Sequence, residues 1–302
     1  MKPSVAILIP AFEAEATLPR AVQSLLTQSY FDWIAMIASD DGTDYLAFLE
    51  DQGLSDPRLL QTSTGQIGSH DFGARNAALQ AAPPTPFLAL LDADDAWAQD
   101  HLEALLPLAE AEGAAACNTL THDEEGRAYK RPFPNAETPF AMAAEDVLAP
   151  RTPFFPVLQR ELAAGGWQAL PFCSDVIFSL TVLSRARRRG GALLCHPAPL
   201  YHYHKTPGSI THSLSSAEVA EAGYRQILKH LEQGDFDLDP DVRQAAQQEF
   251  TLNRKVNRIF SRWLQEGRCT SMEDFLDRTE MGRAPWLLAE NDEAEGRPED
   301  GG

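Results

Sequence analysis

Residues 87–95 read Phe87-Leu88-Ala89-Leu90-Leu91-Asp92-Ala93-Asp94-Asp95. Five apolar residues in a row, with no polar alternation, suit a strand buried on both faces, as in a parallel sheet. The run passes straight into three carboxylates within four residues. Charges this close repel unless a cation sits among them. Their hard oxygens suit Mg²⁺ or Mn²⁺, which keep waters and bridge to substrate phosphates instead of filling an all-protein cage. A bare acidic triplet also describes a solvated turn; its place at the end of an apolar strand favours the metal reading.

Working outward, Val5 to Ile9 predicts another buried strand, ended by Pro10, which cannot extend a ladder. Leu18, Val22, Leu25 and Leu26 recur at helical spacing behind Pro19, so a helix is expected over Thr17–Gln28. Trp33–Ala38 predicts a second strand running into Ser39-Asp40-Asp41-Gly42-Thr43, and Phe72–Ala81 a second helix broken by Pro83, Pro84 and Pro86. Strand–helix–strand alternation implies parallel strands with right-handed crossovers, and such sheets bind ligands at the carboxyl ends of their strands. Asp40-Asp41 and Asp92–Asp95 then share one rim. An anionic rim takes a diphosphate only with a metal and some positive charge. Arg75 at the start of the second helix offers that charge, although an ordinary surface ion pair fits it equally well. Glycines 65, 68 and 73 permit close backbone approach.

Downstream the pattern loosens. Ala114–Leu120 predicts a strand and Glu124–Arg127 a turn, while Pro132–Pro156 is too proline-rich to assign. Ser174 is expected to cap a helix from Asp175 to Arg188, closed by Gly190-Gly191, followed by short strands at Ala192–His196 and Leu200–His204. Only helices follow. Ser215 and Glu218 form a capping box ahead of Val219, Ile227, Leu228 and Leu231. Asp239-Pro240 opens a longer helix carrying Val242, Ala246, Val256, Ile259, Phe260 and Trp263 up to Gly267. The expected division is an α/β domain over residues 1–213, a helical region over 214–289, and an acidic tail over 290–302 without large apolar residues, expected to be disordered.

A formal net charge of -19, with 44 acidic against 25 basic residues, argues against nucleic-acid binding, which needs clustered Lys and Arg. Cys117, Cys173, Cys195 and Cys269 form no zinc spacing and read as reduced thiols. Met1–Phe12 carries no cleavage signal, and no stretch approaches the length of a membrane span, so a cytoplasmic location is expected. Arg254, Arg258 and Arg262 step along the last long helix as a basic stripe. A solvated face is the simpler account; peripheral contact with the inner membrane face, or with an anionic acceptor, is the other. Arg185–Arg189 reads as a basic helix end favoured by the macrodipole.

Val5–Phe12, Asp40-Asp41-Gly42-Thr43, Ala74-Arg75-Asn76 and Asp92–Asp95 follow in an order and spacing that resembles the family 2 glycosyltransferases. The clear likeness covers about the first hundred residues, and a looser one runs to residue 213. It implies the GT-A fold, an α/β architecture with a mostly parallel sheet, here with a helical C-terminal extension. It implies Pro10 and Phe12 at the base and ribose pocket, Asp41 on the base, Arg75 near the diphosphate, and Asp92 and Asp94 on the donor. Asp94 and Asp95 are the expected ligands of Mn²⁺ or Mg²⁺. The family's base follows a Gly–aromatic pair, usually as Glu-Asp at a helix start. Gly166-Trp167 followed by Ser174-Asp175 makes Asp175 that base, with Ser in place of Glu. A carboxylate at a helix N-terminus stays ionised and can accept a proton, which favours the base over the other reading, a plain cap.

Leu200–Ser209 resembles the family's late strand and loop, which closes over the donor. His202 and His204 face the same way in a strand, so His204 is a candidate metal or diphosphate contact, or both are hydrogen-bonded edge residues; Lys205 is a further candidate for phosphate. The implied reaction is an inverting transfer from a nucleotide diphosphate sugar, with UDP-sugars favoured, to a glycan or lipid-linked saccharide, in surface glycan or polysaccharide synthesis. The rival readings are a catalytically inactive nucleotide-sugar-binding relative, kept open by Ser174, and a sugar-phosphate nucleotidyltransferase. The latter would need a Gly-rich basic loop after the first strand, which the sequence lacks.

Overall fold

The computed structural model describes residues 4–148, 154–205, 214–280 and 282. In chain order the elements are β1 (Val5–Ala11), α1 (Leu18–Leu26), β2 (Trp33–Ser39), α2 (Tyr45–Asp51), β3 (Leu59–Ser63), α3 (His70–Ala81), β4 (Phe87–Leu90) and β5 (Ala96–Trp97). Then come α4 (His101–Glu112), β6 (Gly113–His122), β7 (Ala128–Lys130), β8 (Phe140–Ala141), α5 (Ala144–Leu148), β9 (Val157–Gln159), α6 (Ser174–Arg188) and β10 (Ala192–His204). Three helices follow: α7 (Leu214–Gln233), α8 (Pro240–Gln265) and α9 (Met272–Arg278).

One sheet carries the order β3-β2-β1-β4-β9-β6-β10-β5, with β7 beside β6 and β8 beside β10. β1 is parallel to both β2 and β4, β2 to β3, and β6 to β10; short β9 runs antiparallel between β4 and β6. This is the mostly parallel, helix-flanked sheet of the GT-A fold. Val5 to Ile9 are all fully buried, as their uninterrupted apolar run requires. β1 does not stop at Pro10. Leu8 accepts from the Leu91 N–H, so even-numbered residues of β1 face β4, whose ladder ends at Leu90. The N–H that Pro10 lacks would have had no partner there.

α3 packs on β1 and β2 through Ala74 and Ala78. Side chains this small bring the helix close to the sheet and let the next position, Arg75, sink into the gap. The two strands expected at 192–204 are one, with a register shift between His196 and Tyr201. α7 already includes Ser215, expected as its cap, and α8 opens at Pro240 behind Asp239 as expected. The acidic tail lies outside the described residues.

The main hydrophobic core runs on from the sheet into Ile227, Leu231, Val242, Ala246 and Phe250, while Val256, Ile259, Phe260, Trp263 and Phe275 form a second, smaller cluster. Arg185–Arg189 does more than end a helix. Arg185 and Arg188 pair with Asp237, Arg188 also with Asp239, and Arg187 with Asp241, tying α6 to the α7–α8 turn. Arg254 and Arg258 of the expected basic stripe both bond Glu221 on α7, which turns that part of the stripe into an interhelical contact. Among the described residues no helix is long and apolar enough to cross a membrane.

Candidate active site

The carboxyl ends of β1, β2 and β4 converge on one rim, and the backbone is strained where it turns away from that rim. Four described non-glycine residues have positive φ: Glu13 (48°), His70 (63°), Cys173 (58°) and Glu280 (50°). The first three flank the loop after β1, the start of α3 and the start of α6. Such conformations cost about 1–3 kcal/mol each and cluster where function fixes geometry.

Asp41 is held by four donors. Ser39 Oγ and the Thr43 N–H reach Oδ1 at 3.1 and 2.8 Å, while the Glu13 N–H and Tyr45 hydroxyl reach Oδ2 at 2.5 and 2.6 Å. Burial acts to raise its pKa, but the Tyr45, Thr43 and Glu13 donors outweigh it and bring it to about 2. Neighbouring Asp40 is buried and accepts from Thr64 Oγ1 at 2.7 Å. Phe12, 49% exposed, follows the end of β1 and Pro10. Gly65 and Gly68, expected to permit close approach, instead supply positive φ (76° and 69°) in the loop that hooks back to Asp40 through Gly68 N–H.

Arg75 is the centre of the site. Only 6% of its side chain is exposed, yet it is no surface ion pair: Nη2 bonds both oxygens of Asp92 at 3.1 and 3.2 Å, and Nη1 bonds Asp71 at 2.7 Å. Burial works against its charge; Asp92, Asp71 and Asp175 overcompensate and hold it firmly. Its Nε is buried, and no partner for it lies among the described residues.

The three aspartates after β4 have different environments. Asp92 faces Arg75. Asp94, raised to about 6 by burial and by the Asp92 charge, has its carbonyl bonded by Arg20. Asp95 is fully buried: Tyr201 hydroxyl donates to Oδ2 at 2.7 Å and the His204 N–H to Oδ1 at 2.9 Å, and burial, with Asp94 and Asp92 adding, lifts its pKa well up. It ties the acidic loop to β10. His204's ring lies against His122 (4.5 Å between centroids), and His202 bonds the same His122 at 2.9 Å, so the two histidines do share a face. Burial lowers His204 to about 4, leaving it neutral at pH 7. Lys205 sits over the Tyr129 ring. Among the described residues no three His, Cys, Asp or Glu side chains converge as a metal-ligand set, so Asp94, Asp95 and His204 are neighbours without being a preformed cage.

Asp175 lies in the first turn of α6, partly buried. Burial raises its pKa and Arg75 opposes this. Ser174 is not the cap: the N-cap is Cys173, and Ser174 Oγ, fully buried, donates to Asp71 Oδ2 at 2.7 Å. Asn76 clamps the Gly166-Trp167 turn, donating from Nδ2 to Trp167 O and accepting the Trp167 N–H at Oδ1, both at 2.8 Å. Gly166 has no room for a side chain, since a Cβ there would stand 2.1 Å from Asn76 Oδ1. Trp167 stacks on Phe178 of α6 at 4.0 Å, so the helix bearing Arg75 is coupled to the helix bearing Asp175. Asp71, Tyr45 and Tyr201 escaped the reading of the sequence, and Asn76 entered it only within the Ala74-Arg75-Asn76 motif, with no role of its own. Asp71 carried a signal, standing four residues before Arg75 on a helix; Tyr201 and the Asn76 clamp carried none.

The family profile described as Glycosyl transferase family 2 matches residues 6–162. UDP-Glc:alpha-D-GlcNAc-diphosphoundecaprenol beta-1,3-glucosyltransferase WfgD of Escherichia coli is 37% identical over 101 residues, 33% of this chain and 38% of that protein. The match therefore spans well under half the length of that relative. The crystal structure of S. aureus TarS 1-349 in complex with UDP-GlcNAc superposes with a TM-score of 0.61 at 17% identity, covering 84% of this chain and 72% of that one. The mannosyltransferase PcManGT from Pyrobaculum calidifontis, in complex with GDP-Man and Mn2+, gives a TM-score of 0.57 at 14% identity over 95% and 86% of the two chains. These structural likenesses carry the fold.

Proposed function

Because the chain belongs to glycosyl transferase family 2, we propose that it moves a sugar from a nucleotide diphosphate sugar to an acceptor hydroxyl, with inversion, in the synthesis of a surface glycan or polysaccharide. The observation that carries this reading is Arg75, a buried guanidinium that bonds Asp92 on one side and stands beside Asp175 on the other, with no partner for its Nε among the described residues. One cation thereby joins a phosphate-facing acidic loop to a carboxylate able to take a proton.

In this reading Phe12 and Pro10 cover the base and ribose, and Asp41, already ionised and fixed by its donors, orients the base. UDP is the favoured nucleotide, by analogy with the UDP-Glc and UDP-GlcNAc named for WfgD and TarS. The acidic loop fits a hard divalent ion: Asp94 is crowded by Asp92 in a buried setting, which is relieved by a cation. Asp94 would hold Mn²⁺ or Mg²⁺, with His204 and Asp95 bordering it. Such an ion, when bound, stabilises the negative charge of the departing diphosphate.

The chain's own residues do the rest. Asp175 accepts the proton of the acceptor hydroxyl as that oxygen bonds to the anomeric carbon. The bond from that carbon to the diphosphate breaks, and its electron pair leaves with the phosphate oxygen. Arg75, desolvated and oriented in advance, faces that developing charge.

A thermal-shift screen of nucleotides and nucleotide sugars, with and without Mn²⁺, tests the donor half directly. A ligand at a hundred times its Kd stabilises by about 2.7 kcal/mol, worth about 4 °C for a chain this size. A chain whose melting temperature no nucleotide moves would overturn the reading.

A further inference from the structure

Asp71, the second residue of α3, is placed with more care than an ion-pair partner for Arg75 needs. Its Oδ2 receives both Arg75 Nη1 and Ser174 Oγ, each at 2.7 Å, while among the described residues no donor reaches Oδ1, and the side chain is 44% exposed. Arg75 already has a two-oxygen partner in Asp92. The residues immediately before Asp71 and Ser174, His70 and Cys173, both have left-handed backbone (φ 63° and 58°), so strain at two helix starts brings these side chains together. Around one guanidinium stand Asp71, Asp92 and Asp175, two negative charges in excess. A third carboxylate in that position adds repulsion, and an exposed carboxylate of fixed direction next to a proton-accepting one is suited to a hydroxyl arriving from outside.

We propose that Asp71 is an acceptor-binding residue: its Oδ1 accepts a hydrogen bond from a second hydroxyl of the acceptor sugar, beside the hydroxyl whose proton passes to Asp175. The acceptor end is thus a sugar ring with at least two free hydroxyls, and Ser174 is the pin that aims Asp71 at it. This rests on the transferase reading above.

The test uses the full chain, Mn²⁺, the nucleotide sugar that stabilises it most, and a panel of p-nitrophenyl glycosides with their monodeoxy analogues, following nucleotide release. For a glycoside that wild type accepts, Asp71→Asn raises the acceptor KM about ten- to a hundredfold, the usual worth of a hydrogen bond to a charged acceptor, with kcat nearly kept. UDP affinity by calorimetry is not weakened. One monodeoxy analogue suffers the same loss with wild type and no further loss with the variant. Ser174→Ala, which keeps the carboxylate but frees it, raises KM less. An unchanged acceptor KM, or a fall in melting temperature and UDP affinity with no acceptor effect, overturns the proposal and leaves Asp71 as Arg75's partner alone. Wild type that binds UDP but is accelerated by no glycoside overturns it too, with the donor reading intact; wild type that binds no nucleotide overturns that reading itself.

Discussion

Replacing Asn76 with Ala removes a side chain that spans from α3 to the Gly166-Trp167 turn by hydrogen bonds to both the N–H and the C=O of one residue. Two bonds of 2.8 Å are lost, and the Trp167 N–H and C=O, in a residue only 4% exposed, are left without partners. A net hydrogen bond is worth about 1 kcal/mol, and an unsatisfied buried polar group costs about 1–3 kcal/mol. Water entering the vacated space recovers part of this. The expected loss is therefore about 2–4 kcal/mol, or roughly 3–6 °C in melting temperature. Asn76→Asp is the sharper variant: its carboxylate still accepts from the Trp167 N–H but turns an oxygen on the Trp167 carbonyl, so it falls in the same range despite equal size. Urea denaturation gives the free energies. Because Trp167 stacks on Phe178 of α6, sugar transfer should fall further than UDP affinity, which depends on Arg75 and the acidic loop. A loss below about 0.5 kcal/mol, within the range of an ordinary surface substitution, would refute the coupling between the two helices.

Asp175→Asn retains size and much of the hydrogen bonding but takes no proton, so UDP and Mn²⁺ binding should persist while transfer drops about a hundredfold to ten-thousandfold; near wild-type turnover would assign the base to another carboxylate. Asp94→Ala should abolish the Mn²⁺-dependent part of UDP affinity in calorimetry with the fold intact, and an unchanged, still metal-dependent affinity would place the ion elsewhere. Asp41, depressed to about 2, stabilises the fold above its unfolded pKa, and that contribution is lost as pH falls from about 4 towards 2. Asp41→Asn should accordingly be less stable than wild type at pH 7, with the gap narrowing by pH 3 in urea titrations; a gap independent of pH would mean the ionised carboxylate is not what the four donors hold.

Strands β1, β2 and β4 and helices α1, α3, α6 and α8 were legible in the sequence because each is written in consecutive residues: an apolar run, a helical period, a proline or glycine stop. So was the rim, since a parallel sheet puts the ends of such strands together and Asp40-Asp41 and Asp92–Asp95 follow those ends directly. What each carboxylate does there was decided by partners far away in the chain. Asp95 lies equally close to the strand end as Asp94, but Tyr201, 106 residues on, takes it into the interior. Ser174 looked like a cap for the helix that follows, and instead spends its hydroxyl on Asp71, 103 residues back. Asn76 holds Trp167 across 91 residues, and Arg185–Arg189 became a clamp only because the α7–α8 turn brought Asp237, Asp239 and Asp241 beneath it. A bond between distant side chains imposes no period and no spacing on the sequence; it exists only once the packing of the sheet and helices has set both ends within about 3 Å.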